Sequence, residues 1–304
     1  MAENAAPALA SPAPAERPGA SSRRWRQARL LLGLAPFVIY LGIFLGVPAI
    51  SVVIDAFLGS RGQFTLANIQ ASFGGIYLTS YGASLELSSI SAVIASIAGL
   101  LIAIAISSSQ NPTLRRLITT GSGVLANTGG VPLAFAFIAA VGNFGLITGL
   151  LSRVGLNPYD HGFSLYTLTG LTVVYLYFLV PLMVLVILPA VDGLQRQWFE
   201  ASASLGAQRR HFWRYVGMPV LAPAFLAALL VLFVDAFAAY ATADAITDGL
   251  IPLVPIQIGS LVAGNVLPGE AHLGAALGLG MIVIVTLAAT IYAVVQRRTA
   301  RWMR

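Results

Sequence analysis

Two carboxylates, Glu86 and Asp235, stand inside long apolar runs of this 304-residue chain. At bilayer depth a carboxylate costs about 2.5–3.5 kcal/mol on insertion scales, so each is expected to face protein, water or a ligand. At helical spacing Asp235 shares a face with Ala239 and Thr242, and Glu86 aligns with Ser89 and Ser96. Asn127, Tyr175, Tyr177 and Tyr240 are the further polar groups that would complete a lining. Such a set suits the binding and passage of a charged or polar solute; pairing of the carboxylates within a helix bundle explains them as well. Covalent and redox chemistry is largely closed. All 17 basic residues are Arg, and the chain has neither Lys nor Cys. That removes the phosphate loop of an ATPase, Schiff-base lysines, thiolate nucleophiles, cysteine-ligated metals and disulfides. His161, His211 and His272 fall in separate loops, so no metal centre is expected.

The elements that must position these groups are membrane helices. Hydrophobic residues make up 58% of the chain and charged residues 9%, far below the near-quarter charged content usual in soluble domains. Six stretches reach the roughly 20 apolar residues a span needs: Leu30–Ala56, Ser80–Ile106, Leu117–Val141, Leu165–Leu188, Val220–Ala243 and Leu273–Val295. Residues 1–29, rich in Ala, Pro and Ser, read as a disordered cytosolic tail, residues 30–296 as one all-α membrane domain, and residues 297–304 as a basic tail. The first apolar run is too long for a signal h-region and reads as an uncleaved span. With the N-terminus inside, the cytosolic segments hold Arg17, Arg23, Arg24, Arg26, Arg29, Arg115, Arg116, Arg196, Arg209, Arg210, Arg214, Arg297, Arg298, Arg301 and Arg304. Only Arg61 and Arg153 fall outside. That asymmetry places both termini in the cytosol. The outer half carries Asp55, Glu86, Asp160, Asp235, Asp244, Asp248 and Glu270 against those two arginines. A net acidic pathway favours a cationic passenger, although excluding arginine from the outside yields the same imbalance.

Small residues four apart, Ala95, Gly99 and Ala103 in the second span and Gly274 with Gly278 in the sixth, suit close helix packing. The third span contains Asn127, Gly129, Gly130 and Pro132 at its middle. A Gly-Gly-x-Pro stretch weakens the helical ladder, as a kink or as a break lining a cavity.

The longest cytosolic loop, residues 192–219, is patterned. Glu200-Ala201-Ser202-Ala203-Ser204-Leu205-Gly206 reads as a short helix ending at Gly206, followed by a second from about Gln208 to Val216 and by Pro219 in the first turn of the fifth span. Arg209, Arg210 and Arg214 would face lipid headgroups while Phe212, Trp213 and Tyr215 anchor at the interface. Physics alone leaves an interfacial helix and a docking element both open.

Glu200-Ala201-Ser202, Gly206 and Val216-Gly217-Met218-Pro219 resemble, in type and spacing, the Glu-Ala-Ala…Gly…Ile-x-Leu-Pro signature of binding-protein-dependent ABC importer permeases. Ser202, Val216 and Met218 are departures of similar size. Phe64-Thr65-Leu66-Ala67-Asn68-Ile69, Asp235-Ala236-Phe237 and Gly274-Ala275-Ala276-Leu277 are similar to the spermidine/putrescine, ferric-iron and aminoethylphosphonate branch. The resemblance implies a type I importer fold in a bacterial plasma (inner) membrane. A second permease subunit and two ABC ATPase subunits would assemble with this chain, and an extracytoplasmic binding protein would deliver the substrate. It further implies that Glu200, Ala201, Ser202, Ala203, Leu205 and Gly206 form the coupling helix. ATP and Mg would be bound and hydrolysed by the partner ATPase, so this chain is not expected to be an enzyme or to hold a cofactor. The partners implied are proteins and membrane lipid, not nucleic acid. Other classes make other demands: a secondary transporter calls for inverted repeats and paired broken helices, a channel for a filter, a membrane enzyme for a nucleophile or metal cluster. One broken span and no convincing repeat are visible.

Overall fold

The computed structural model describes residues 34–59, 61–109, 111–263 and 271–301. The expected tail at residues 1–29 lies outside them, as do residues 302–304 of the basic end. Among the described residues all regular structure is helical, apart from a single bridge between Leu58 and Phe64. Six helices are long and apolar enough to cross a membrane.

The chain divides into two units, residues 1–51 and 52–304. The first contains most of α1 (Leu34–Ala56), whose residues 34–51 are exposed almost throughout. An apolar helix with no polar face is built for lipid or a membrane partner. Its turn Gly42–Gly46 is π-helical, with the Val47 N–H returning to the Gly42 carbonyl. Pro48 follows directly in the sequence Gly46-Val47-Pro48. A proline lacks the N–H for the α-helical bond and crowds the carbonyl four residues back, which a widened turn relieves.

In the second unit, α2 (Ala67–Ser72) leads into α3 (Gly75–Ser108), which at 1.5 Å per residue runs about 50 Å. Next come α4 (Pro112–Ala126), α5 (Val131–Val141) and α6 (Leu146–Arg153). The central helix is α7 (Leu168–Asp192), packed along α3 and against α4. It is followed by α8 (Arg196–Ser204) and α9 (Arg209–Ala238), the latter also packed on α3 and α7. Short helices α10 (Ala241–Thr247) and α11 (Val254–Val262) precede α12 (Ala271–Arg301), which packs on α2, α9 and α11.

The core lies along α7, where Leu171, Val174, Tyr175, Leu179, Met183 and Ile187 are fully buried. Ala95, Gly99 and Ala103 of α3 face it. The approach at Gly99 is so close that a methyl group there would meet the Met183 Cβ at 2.5 Å. Gly274 and Gly278 are likewise contact positions, against Leu261 and Val52. Small-residue packing therefore holds the bundle together where the spacing predicts it.

Two span expectations need correction. The third apolar stretch is not one helix: it is α4 and α5, interrupted at residues 127–130, and the third of the six candidate spans is Val131–Arg153, made of α5 and α6 with a turn at residues 142–145. The fifth span also ends early. It stops at Ala238, and α10 starts anew at Ala241, so Thr242 and Ala243 lie beyond a second break.

Candidate functional site

Both breaks meet at one place. Asn127 caps the end of α4, its side-chain amide donating to the Gly123 carbonyl at 2.8 Å, while the Thr128 hydroxyl donates to the Val124 carbonyl at 2.7 Å. These side chains add hydrogen bonds to carbonyls of the last turn, the Val124 carbonyl also accepting the Asn127 N–H at 3.2 Å. Gly130 then turns the chain with φ +77°, a conformation that favours glycine, and Pro132 enters α5 in its first turn, where no N–H is needed. On the other side Ala239 leaves helical geometry with ψ 106°. Its carbonyl accepts the Tyr175 hydroxyl at 3.1 Å. The Tyr240 ring lies where a methyl group on Gly259 would approach within 2.8 Å. Thr242 joins the two breaks through its hydroxyl, which accepts from the Gly130 N–H at 2.8 Å.

Between the breaks opens a cavity of about 430 Å³, lined by residues that include Asn127, Gly130, Phe178, Asp235, Tyr240 and Thr242. Asp235 sits on α9 less than one turn before the helix ends, and it is exposed on the surface of the single chain. Among the described residues it has no ion-pair partner. The ends of α4 and α9 contribute the negative poles of two helix dipoles to the same space, and the starts of α5 and α10 two positive poles. The charge that the helix ends leave unbalanced is that of Asp235, in a recess open on the single chain.

Of the groups expected to line a pathway, Asp235, Asn127, Tyr240 and Thr242 come together here. Tyr175 is buried, its hydroxyl donating to the Ala239 carbonyl. Two others do not join them. Tyr177 packs edge-on against Phe137, with ring centroids 5.6 Å apart. Glu86 is exposed on another part of α3, together with Ser89, while Ser96 is buried. Phe178 also lines the cavity, although an aromatic residue in an unbroken apolar run gives no signal of its own in the sequence. His161 and His272 bond to the backbone carbonyls of Asn157 and Asp55, and His211 stacks on Tyr215. Among the described residues no cluster suited to a metal is present.

The patterned loop forms a second feature. Here α8 begins at Arg196 rather than at Glu200. It ends in a two-bond turn in which the Gly206 N–H returns to Ala203 at 2.9 Å and the Ala207 N–H to Ser202 at 3.0 Å. Gly206 takes φ +79°, as such an ending requires. Trp198, Phe199 and Leu205 are exposed on this segment, Leu205 to 88%. The following helix does not stop at Val216. It passes through a π turn, Trp213–Gly217, into the rest of α9. Gly217-Met218-Pro219 repeats the Gly-x-Pro arrangement of α1, and the Trp213 ring covers Gly217, leaving no room for a methyl group.

Residues 95–301 match the family described as binding-protein-dependent transport system inner membrane component. The chain belongs to this family. It is the permease component of a binding-protein-dependent ABC importer, a multi-pass protein of the bacterial inner membrane whose ATPase is a separate subunit. That membership, and not the number of broken helices, decides against a secondary transporter or a channel.

Solved structures share the permease's fold. A bacterial ABC transporter involved in the import of the acidic polysaccharide alginate aligns with a TM-score of 0.69 at 18% identity, covering 91% of this chain and 96% of that one. The bacterial alginate ABC transporter in complex with an alginate pentasaccharide-bound periplasmic protein gives the same TM-score at 17% identity, with 91% and 96% covered. The MetNI methionine ABC transporter in inward-facing conformations aligns with a TM-score of 0.55 at 15% identity, covering 73% of the permease and 95% of the matched chain. Among curated proteins none matches the permease. At these identities the likeness establishes a type I importer permease fold.

Proposed function

We propose that the permease, paired with a second permease subunit, forms a pathway past the Asp235 cavity for a small organic cation such as a polyamine. The observation that carries this reading is the Asp235 carboxylate, which lies open in the recess near the end of a membrane span and, among the described residues, has no ion-pair partner. Such a group needs water, protein or a ligand. The amino end of α5 faces the same break and favours an anionic cargo such as a phosphonate. With the amino end of α10 it brings about half a positive charge per helix start, which offsets about half a negative charge at each of the two carboxyl-terminal helix ends and leaves the full negative charge of Asp235. A cation is therefore favoured. Ferric iron would call for a set of hard ligands, whereas among the described residues Asp235 is the only carboxylate lining the recess. Uptake of labelled polyamine against a labelled phosphonate, with and without Asp235→Asn, tests the assignment.

Coupling is assigned to the segment from Glu200 to Gly206. An exposed Trp198, Phe199 and Leu205 on a cytosolic turn form a surface that a partner protein would cover, and the turn at Gly206 holds it in shape. The partner is the ABC ATPase, one copy to each permease subunit, with ATP and Mg bound there. Because the chain has no cysteine, Ala203→Cys supplies a single reactive thiol. Cross-linking to the ATPase subunit is expected, and labelling that stays accessible in the assembled transporter would remove this docking role.

A further inference from the structure

Away from the cavity, Asp192 gathers two groups from other helices. The Ser107 hydroxyl donates to Asp192 Oδ1 at 2.8 Å, and Arg115 donates from one guanidinium nitrogen to Oδ1 at 3.3 Å and from the other to Oδ2. Ser107 is the penultimate residue of α3, Arg115 lies in the first turn of α4, and Asp192 is the last residue of α7. By the arginine asymmetry this is the cytosolic side, and only residues 193–195 separate Asp192 from α8.

Neither charge suits its own helix. A cation near the amino end of α4 and an anion at the carboxyl end of α7 both oppose the local dipole. Asn111 already caps α4 through the Thr113 and Leu114 N–H groups, so Arg115 is not needed there. Pairing offsets what each charge costs at its own helix end. The pair does not serve mainly to hold the fold together, since the side chains are 41% and 31% exposed, a setting in which ion pairs stabilise little. Its position suggests a different use. Pro189 lies inside α7, one turn before Asp192. Lacking an N–H, it weakens the attachment of the last turn to the rest of the helix. A force on α8 would be absorbed by bending at that point unless the turn were fastened elsewhere.

We propose that Arg115, Asp192 and Ser107 form a clamp that fastens the root of α8 to α3 and α4, so that displacement of α8 moves α3, α4 and α7 as one body. The three are positioning residues, acting on cargo movement through the helices they join. This inference rests on α8 being the segment that docks the ATPase.

The test uses the complete transporter in liposomes, measuring cargo uptake per ATP hydrolysed. Arg115→Gln and Asp192→Asn are expected to keep the ATPase subunit bound and hydrolysing while uptake per ATP falls about fivefold, the most that an exposed pair shifts an equilibrium. The reversed pair, Arg115→Asp with Asp192→Arg, agrees with both helix dipoles and restores uptake. Wild-type uptake per ATP in the single variants overturns the clamp, as does loss of the ATPase subunit or failure of the reversed pair to restore transport. The Ala203→Cys cross-link separates the two claims. If it forms and the single variants behave as wild type, the clamp alone falls; if it does not form, the docking reading falls and the clamp with it.

Discussion

Thr242 and Gly130 are joined in both directions: the threonine hydroxyl accepts from the glycine N–H at 2.8 Å and reaches the glycine carbonyl at 3.3 Å. One side chain thereby satisfies the backbone at the break between α4 and α5 while itself standing just past the break between α9 and α10. The two interruptions form one structural unit, and the cavity exists because neither helix continues through it.

Removing that link is expected to loosen the recess without preventing insertion. Thr242→Val keeps the shape and deletes the hydroxyl, and leaves the half-buried Gly130 backbone without this partner, a loss of about 1 kcal/mol. The thermal midpoint of the detergent-solubilised protein should fall by a few degrees, at roughly 2–4 °C per kcal/mol. Thr242→Ser should stay near wild type. An unchanged midpoint in Thr242→Val would show that the link carries no weight.

Packing of α3 on α7 is tested by a pair of glycine substitutions. Gly99→Ala drives a methyl group onto the Met183 Cβ, and overpacking of this kind costs about 1–3 kcal/mol. Gly121→Ala has open space around the new methyl group and gains helix propensity of up to about 1 kcal/mol. Thermal melts should move in opposite directions. Equal shifts would contradict the close approach at Gly99.

Coupling should depend on the turn at Gly206. Its φ of +79° is closed to proline and costs other L-residues about 1–2 kcal/mol. Gly206→Pro is expected to give a normally inserted permease that no longer drives ATP-dependent uptake, with Gly206→Asn milder because asparagine tolerates this region. Glu200→Ala should likewise leave insertion intact and reduce uptake. Full uptake in Gly206→Pro, with the ATPase co-purifying normally, would remove this segment from the coupling path.

How far the sequence alone reaches differs between the two breaks. The one at residues 127–130 announces itself, because Asn, Gly, Gly and Pro in a row each disfavour a continuing helix through local chemistry. The break after Ala238 carries no such mark. It lies in Ala238-Ala239-Tyr240-Ala241, a run of good or neutral helix formers, and it is associated with Tyr175, which is 64 residues away in the chain and bonds to Ala239, and with the Tyr240 ring set against Gly259. Tertiary contacts of this kind override propensity and leave no periodicity to read. The π turn at Trp213–Gly217 has a local cause instead, the proline that follows it, as in α1. Pro219 signals a helix start, yet the chain widens its turn and runs on. The faces of Glu86 and Tyr177 were also out of reach, since a helix in a bundle has several partners and spacing alone does not say which face meets which.

Glu86 and Asp235 offer an internal comparison. Both are carboxylates in spans, but only Asp235 lines the cavity. Glu86→Gln is therefore expected to change cargo selectivity less than Asp235→Asn. The reverse order would move the pathway to the exposed face of α3.

The account stands most directly on uptake by the assembled transporter, with its binding protein, in ATP-loaded liposomes supplied separately with labelled polyamine and labelled phosphonate. Polyamine uptake that requires ATP, and that slows by about tenfold in Asp235→Asn, the effect of about 1.4 kcal/mol, while subunit assembly is unchanged, is the expected result. Phosphonate uptake without polyamine uptake, indifferent to Asp235→Asn, would contradict it and leave Asp235 with a structural role.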